Sequence, residues 1–201
     1  MVSEWPKRLR STLTGRPVDR IPETDCEIRA AVTLILRPPQ SGGDDPECLF
    51  VRRAKVAGDP WSGHIALPGG RMDAEDADLL DTARRETLEE TGISLAREDY
   101  LGRLHELHPR SWHLPSICVT PFVAWLAQKQ AVRLNYELTG HIWVPLSALL
   151  DPAYRSTLVR EAPVRKEFPA IDFEGDVIWG ITFSILEDFL DTCEPAGRGT
   201  E

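Results

Sequence analysis

Apolar positions along this chain fall into runs that suit strands and stripes that suit helices. From Arg29 the run Ala30-Ala31-Val32-Thr33-Leu34-Ile35-Leu36 is apolar and β-branched, and it stops at Pro38-Pro39 before a polar, glycine-containing stretch from Ser41 to Pro46. This pattern predicts a buried strand followed by a surface loop. Cys48-Leu49-Phe50-Val51-Arg52 reads as its antiparallel partner, because a connection this short and turn-rich cannot hold a crossover helix. Further strands are expected at Tyr100 to Leu107, Ile117 to Leu126 and His141 to Val144. A short helix is expected at Leu146 to Leu150. Phe183, Leu186, Phe189 and Leu190 recur at helical spacing in a terminal helix from about Thr182 to Leu190.

A third helix is the most informative. Between Asp76 and Gly92, Asp76 or Asp78 can cap the first amides and Gly92 can supply a left-handed exit. At about 100° per residue, Leu79, Leu80, Ala83, Thr87 and Leu88 share one side, while Glu86, Glu89 and Glu90 cluster beside it. Like charges three and four residues apart cost a helix roughly 0.2 to 0.5 kcal/mol per pair. Two readings stay open from the helix alone: a solvated acidic face helped by Arg84 and Arg85, or a set of hard oxygen ligands for a cation.

Length and composition narrow the setting. With 201 residues, 42% hydrophobic and 27% charged, the chain fits one globular domain. The expected organisation is an N-terminal arm over residues 1–28 with a short helix near Trp5 to Leu13, a domain over 29–192 and a flexible tail over 193–201. A net charge of -9 argues against non-specific binding to nucleic acid or an anionic membrane, and no apolar run is long enough for a span. Cys26, Cys48, Cys118 and Cys193 are few, scattered and free of C-x-x-C pairs, so reduced thiols and a cytoplasmic location are expected. On pattern alone the class is α/β or α+β.

The segment Leu67-Pro68-Gly69-Gly70-Arg71-Met72-Asp73-Ala74-Glu75-Asp76 precedes the acidic helix, and the two together resemble the signature of the Nudix hydrolase family. Gly70, Arg85, Glu86, Glu89, Glu90, Gly92 and Ile93 match fixed positions of the box. Thr87 stands where the box has a bulky apolar residue, and the span from Gly70 to Arg85 is one residue longer than the general pattern, so the first acid is Glu75 or Asp76. Leu49 to Ala54, Gly63 to Gly70 and Val177 to Thr182 are similar to the coenzyme A pyrophosphatase branch, as is the longer spacing; Arg53, His64 and Leu67 depart from it.

The resemblance implies a Nudix-type α/β/α sandwich with a mixed sheet. It implies hydrolysis of a pyrophosphate bond assisted by Mg²⁺ or Mn²⁺, with coenzyme A, cleaved to 3′,5′-ADP and phosphopantetheine, as the foremost substrate. ADP-ribose, an NDP-sugar or a dinucleoside polyphosphate are the alternatives within enzymes, and a non-catalytic nucleotide-binding module is the alternative outside them. Glu86 and Glu90 would be the main metal ligands, with Glu89 sharing a metal or orienting water. Arg85 would pin the first acid, and Glu137, placed before the His141 strand, would be the base. Arg52 would hold a phosphate or serve as an ion-pair partner, and Arg71 is a looser phosphate candidate. His64 and His113 read as satisfied loop histidines because no Ser or Cys nucleophile accompanies them. Trp61, Trp112 and Trp179 read as packing residues before they read as adenine platforms. The expected partner is a small nucleotide pyrophosphate, with a homodimer left open.

Overall fold

A computed structural model describes residues 4–40, 42–59, 61–109, 116–161 and 165–193. In chain order its elements begin with α1 (Trp5–Gly15), β1 (Ile28–Arg37), β2 (Glu47–Arg53), β3 (Ile65–Ala66), β4 (Gly69–Arg71) and α2 (Leu79–Thr91). They continue with β5 (Tyr100–Arg103), β6 (Ile117–Trp125), β7 (Leu138–Pro145), α3 (Leu146–Leu150), β8 (Arg155–Arg160), β9 (Lys166–Phe173), β10 (Asp176–Trp179) and α4 (Gly180–Cys193).

The apolar run that opened the sequence is the hub of a mixed sheet. β1 runs parallel to β6 from Ile28↔Ile117 to Leu36↔Trp125, and antiparallel to β4 at Ala30 to Val32. Alternate side chains of β1 enter two separate cores, as a pleated strand requires. Ala30, Leu34 and Leu36 join Phe50, Val119, Val144 and Phe189 on one face; Ala31 and Ile35 join Leu49, Ala83, Ile93 and Tyr100 on the other. Burial on both faces explains why the run lacks polar alternation. α2 covers the second face, whereas α1 and α4 cover the first, which makes the α/β/α architecture.

Several expectations shift in detail. β2 meets β1 only at Leu36↔Cys48 and Arg37↔Glu47, and its main antiparallel partner is β7, from Glu47↔Pro145 to Arg53↔Leu138. β4 takes the place beside the first half of β1, so the expected antiparallel pairing of β1 with β2 holds only at these two positions. β5 stops at Arg103, and Leu107 touches β6 through a single bridge to Val119. The strands β8, β9 and β10 form a second antiparallel sheet that pattern reading passed over. β8 is mostly exposed, so it carries little apolar signal. The N-terminal segment buries Leu9 and Leu13 in the main core, and α1 lies close enough to β5 that a Cβ on Gly102 would stand 2.6 Å from the Leu13 side chain. The expected tail beyond Cys193 lies outside the described residues.

The cysteine reading is corrected. Cys26 and Cys118, 92 residues apart in sequence, form a disulfide with their Cα atoms 5.7 Å apart, while Cys48 and Cys193 are not disulfide-bonded. The parallel β1–β6 pairing sets Arg29 opposite Cys118, which brings Cys26, two residues before β1, to the start of β6; no local sequence spacing reports this. The thiol argument for a reducing compartment therefore falls away. Among the described residues, no helix is long and apolar enough to cross a membrane.

Candidate active site

The acidic helix is held by ordinary capping chemistry. The Asp81 amide donates to the Asp78 side chain at 2.8 Å, and Gly92 ends α2 in the left-handed region at φ 70°. The buried residues of α2 are Thr82, Ala83, Thr87, Thr91 and Glu90, so one acid of the motif faces the sheet. Leu88 was expected on the packed side but is 50% exposed, because it projects about 140° around the helix from Ala83. Thr87 is fully buried, and its hydroxyl donates to Thr33 Oγ1 at 3.0 Å. Thr33 in turn reaches the Ala83 carbonyl at 3.4 Å and the Tyr100 hydroxyl at 3.3 Å. A chain of hydroxyls thus fills the place of the bulky apolar side chain found in the family box.

Two glycines let this helix edge meet the sheet. At Gly69, with φ 152°, a Cβ would stand 2.3 Å from the Ala31 carbonyl oxygen; at Gly70 it would stand 2.4 Å from the Glu86 carboxyl carbon. Side chains at either position would displace backbone or the acid itself. The Gly69 amide donates to Glu90 Oε2 at 2.9 Å and orients that carboxylate under the loop.

Arg85 gathers the acids. Its Nε and Nη2 donate to the two oxygens of Asp76 at 3.0 and 2.9 Å, while Nη1 donates to Glu86 at 2.8 Å and to Glu89 at 3.3 Å. Asp76 also accepts from the Asp73 amide and the Thr82 hydroxyl, and its side chain is 6% exposed. The first acid is accordingly Asp76, while Glu75 is exposed. The bidentate guanidinium and its companion donors hold Asp76 far below the usual carboxylate range.

The remaining acids respond in the opposite sense. Burial pushes Glu90 up to about 7, against the Gly69 amide, with the nearby charges of Glu86 and Glu137 adding to the rise and Arg53 opposing it. Glu86 is raised mainly by burial, opposed by Arg85, with Glu89 and Glu137 adding to it. The fold therefore brings the turn carrying Glu137 within electrostatic reach of the helix acids. Three glutamates on one helix edge and a fourth across from them provide hard oxygen donors of the kind a divalent cation such as Mg²⁺ takes, and Gly70 keeps the space for Glu86 clear.

The arginines divide. Arg52 forms an ion pair with Asp176 and lines a cavity of about 210 Å³ with Phe50, Ile65 and His141. Arg71 is exposed, and its backbone carbonyl accepts from Arg85 at 3.0 Å. Arg53, a departure from the branch pattern with no site role expected from the sequence, pairs with Asp59 at 3.0 Å, and its Nε is buried with no hydrogen-bond partner among the described residues. It lines a cavity of about 260 Å³ together with Tyr136 and Glu137. The available signal was strand alternation, since neighbours such as Arg52 and Arg53 point to opposite sides.

The other candidates take packing roles. His64 meets Trp179 edge-on with ring centroids 4.7 Å apart, and burial followed by the charge of Arg160 lowers its proton affinity. Trp179 also contacts Phe168 and lies under Arg160, and Trp61 packs against the main core. His113 and Trp112 lie outside the described residues.

Comparison with known proteins agrees with this fold. The NUDIX domain model matches residues 27–163. An uncharacterized protein of Schizosaccharomyces pombe is 34% identical over 131 residues; the match covers 62% of this chain but only 40% of that protein's length. The uncharacterized Nudix hydrolase NudL of Yersinia pestis is 32% identical over 162 residues, covering 79% of this chain and 76% of NudL. In fold, the chain is similar to a MutT/nudix family protein from Enterococcus faecalis, with a TM-score of 0.58, 19% identity, and coverage of 94% of this chain and 72% of that one.

Proposed function

This chain belongs to the Nudix hydrolase family, and we propose that it hydrolyses the pyrophosphate bond of coenzyme A or a derivative, releasing 3′,5′-ADP and phosphopantetheine. The observation that carries a hydrolytic reading is Glu90: a carboxylate of the acidic edge buried beneath the Gly69-Gly70 turn and surrounded by further acids. A nucleotide-binding module with no chemistry to perform would have no use for so costly an arrangement.

In this reading Glu86, Glu90 and Glu89 hold Mg²⁺ or Mn²⁺, which when bound supplies charge neutralisation on the phosphate oxygens. Asp76 and Arg85 keep the helix and the glycine turn in register, so that the acids converge. Glu137 accepts a proton from the attacking water. That water forms the new P–O bond as the bridging P–O bond breaks, and each product leaves as a phosphate monoester. Arg53 contacts the substrate phosphates from the cavity it shares with Glu137, Tyr136 at 89% exposure offers a ring face at the rim, and Arg52 and Arg71 contact more distant parts of the substrate. The preference for coenzyme A rests on the branch-like segments around Leu49 to Ala54 and Gly63 to Gly70, and on the extra residue before Arg85.

The test is product analysis by mass spectrometry with Mg²⁺ and with Mn²⁺, using coenzyme A, ADP-ribose, an NDP-sugar and a dinucleoside polyphosphate as substrates. The expected outcome is 3′,5′-ADP with phosphopantetheine from coenzyme A at the highest kcat/KM. A higher kcat/KM for another nucleotide would overturn the substrate assignment, and equal activity of wild type and Glu90→Gln would overturn the assignment of the helix.

A further inference from the structure

Away from the acidic helix, a second set of metal-binding side chains converges. The ligand atoms of Cys26, His108 and Cys118 all lie within 4.8 Å of one another. His108 Nε2 lies 3.4 Å from Ser116 Oγ, and its Nδ1 is buried with no hydrogen-bond partner among the described residues. A buried imidazole nitrogen without a partner loses hydration and gains nothing in return, unless something else occupies that direction. Contact between one ring nitrogen and an outer polar group, with the other directed at a cation, is the usual arrangement of a metal-bound histidine.

Backbone pairing holds the three residues near one another independently of the disulfide, with Leu107, beside His108, bridged to Val119, beside Cys118. The amides of Glu27 and Ile28, which follow Cys26, both donate to the carbonyl of Ser116, two residues before Cys118, at 3.1 and 3.0 Å. Arg29 pairs with Glu106 at 2.9 Å, and Glu106 also accepts from the Ile21 amide at 2.8 Å and the Thr120 hydroxyl at 2.9 Å. The β1–β6 ladder then continues from Ile28↔Ile117. Breaking the S–S bond would therefore leave the two thiols side by side. A tetrahedral Zn²⁺ with Zn–S bonds of ~2.3 Å needs its sulfurs roughly 3.8 Å apart, a separation that side-chain rotation can reach.

We propose that Cys26, His108 and Cys118 form, in the reduced protein, a binding site for a borderline-soft divalent cation of the Zn²⁺ class, and that the disulfide is the closed form of this site. A dithiol reductant breaks the S–S bond and becomes a disulfide itself. The cation then binds both sulfurs as thiolates, their two protons pass to solvent, and a water completes the coordination. Two sulfurs and one imidazole select Zn²⁺ over Mg²⁺, whereas the glutamates of α2 select the reverse, so the two sites take different ions from the same solution.

The experiment is an anaerobic Co²⁺ titration of the full chain with excess Mg²⁺ present, read by thiolate-to-cobalt charge-transfer absorption and followed by displacement with Zn²⁺. Dithiol-reduced and oxidised wild type are compared first. The oxidised protein retains Cys48 and Cys193 outside the disulfide, so signal from those residues persists in both forms and is subtracted. The expected result is one equivalent of Co²⁺ with thiolate absorption in the reduced protein only, lost in Cys26→Ser. His108→Ala keeps both cysteines and should bind at least about tenfold more weakly, while Ser116→Ala should lose about tenfold through the orientation of the ring. Absence of the band in reduced protein whose two additional thiols are confirmed by thiol assay would overturn the proposal, as would unchanged affinity in His108→Ala.

Discussion

Glu90 and Glu106 are both buried carboxylates, 3% and 8% exposed, yet the fold treats them differently. Glu106 accepts from the Arg29 guanidinium, the Thr120 hydroxyl and the Ile21 amide, all within 2.9 Å, so its charge is matched. Glu90 accepts one hydrogen bond among the described residues, from Gly69, and its charged neighbours include Glu86 and Glu137. Burial is common to both; what separates them is whether the lone pairs are satisfied. The matched acid ties the N-terminal arm to β6. The unmatched one stores an electrostatic demand that a cation can meet.

This contrast can be broken in order of expected effect. Glu90→Gln should lower kcat by about 100- to 1000-fold while leaving the melting temperature of the metal-free protein no lower than wild type, measured by steady-state kinetics and calorimetry. A parallel loss of stability would place Glu90 with the structural acids. Glu106→Ala should do the converse, destabilising the fold by about 3 kcal/mol in urea unfolding because Arg29 loses its carboxylate, with kcat per folded molecule retained. An equal loss of kcat would join the two regions into one functional unit.

A smaller effect follows from protons. Glu90 has a folded-state value near 7, above its unfolded value, so between the two the unfolded chain releases its proton first. The Glu90 contribution to the stability of the metal-free protein should then fall as pH rises from about 4.5 to 7, by on the order of 3 kcal/mol, and Mg²⁺ should abolish that slope. Asp76 has the opposite sign: its depressed value contributes stability that is present above the ordinary carboxylate range and is lost as pH falls below it. Thermal melts across pH with and without Mg²⁺, on wild type and Glu90→Gln, check both limbs; His64 and His141, whose proton affinity is lowered by burial, give the opposite slope in both proteins, so a wild-type-minus-variant difference that rises from pH 4.5 to 7 would contradict the account of Glu90. The smallest effect is at Thr87→Val, which removes the donor to Thr33 and should cost about 1 kcal/mol; adding Thr33→Val should cost more, because the buried Tyr100 hydroxyl then loses its partner as well. Unfolding free energies of the two variants decide it.

Some of this was legible without coordinates, because it is written in short-range pattern. The Ala30 to Leu36 run, the caps of α2 and the spacing from Gly70 through Ile93 are local features; pattern led to α/β or α+β and to the acidic helix, and the mixed sheet followed only from the family resemblance. Helix geometry alone could not say which of its glutamates is buried. It set Glu86, Glu89 and Glu90 on one edge, and packing against β1 and the glycine turn selected Glu90.

Choices between neighbours in sequence, and meetings of residues far apart, belong to the tertiary structure. Glu75 and Asp76 are equivalent acids until the Arg85 fork reaches one of them. Arg53 acquires a place near Glu90 and Glu137 only when β2 pairs with β7. Cys26 meets Cys118 only because β1 and β6 lie side by side in parallel, and the second sheet is held by partners that its exposed first strand does not announce. Sequence determined the elements and the chemical types on them, since backbone preference and side-chain periodicity act over a few residues. Tertiary structure decided which charges are matched and which are left for a ligand, since desolvation and pairing depend on what the rest of the chain brings within a few ångströms.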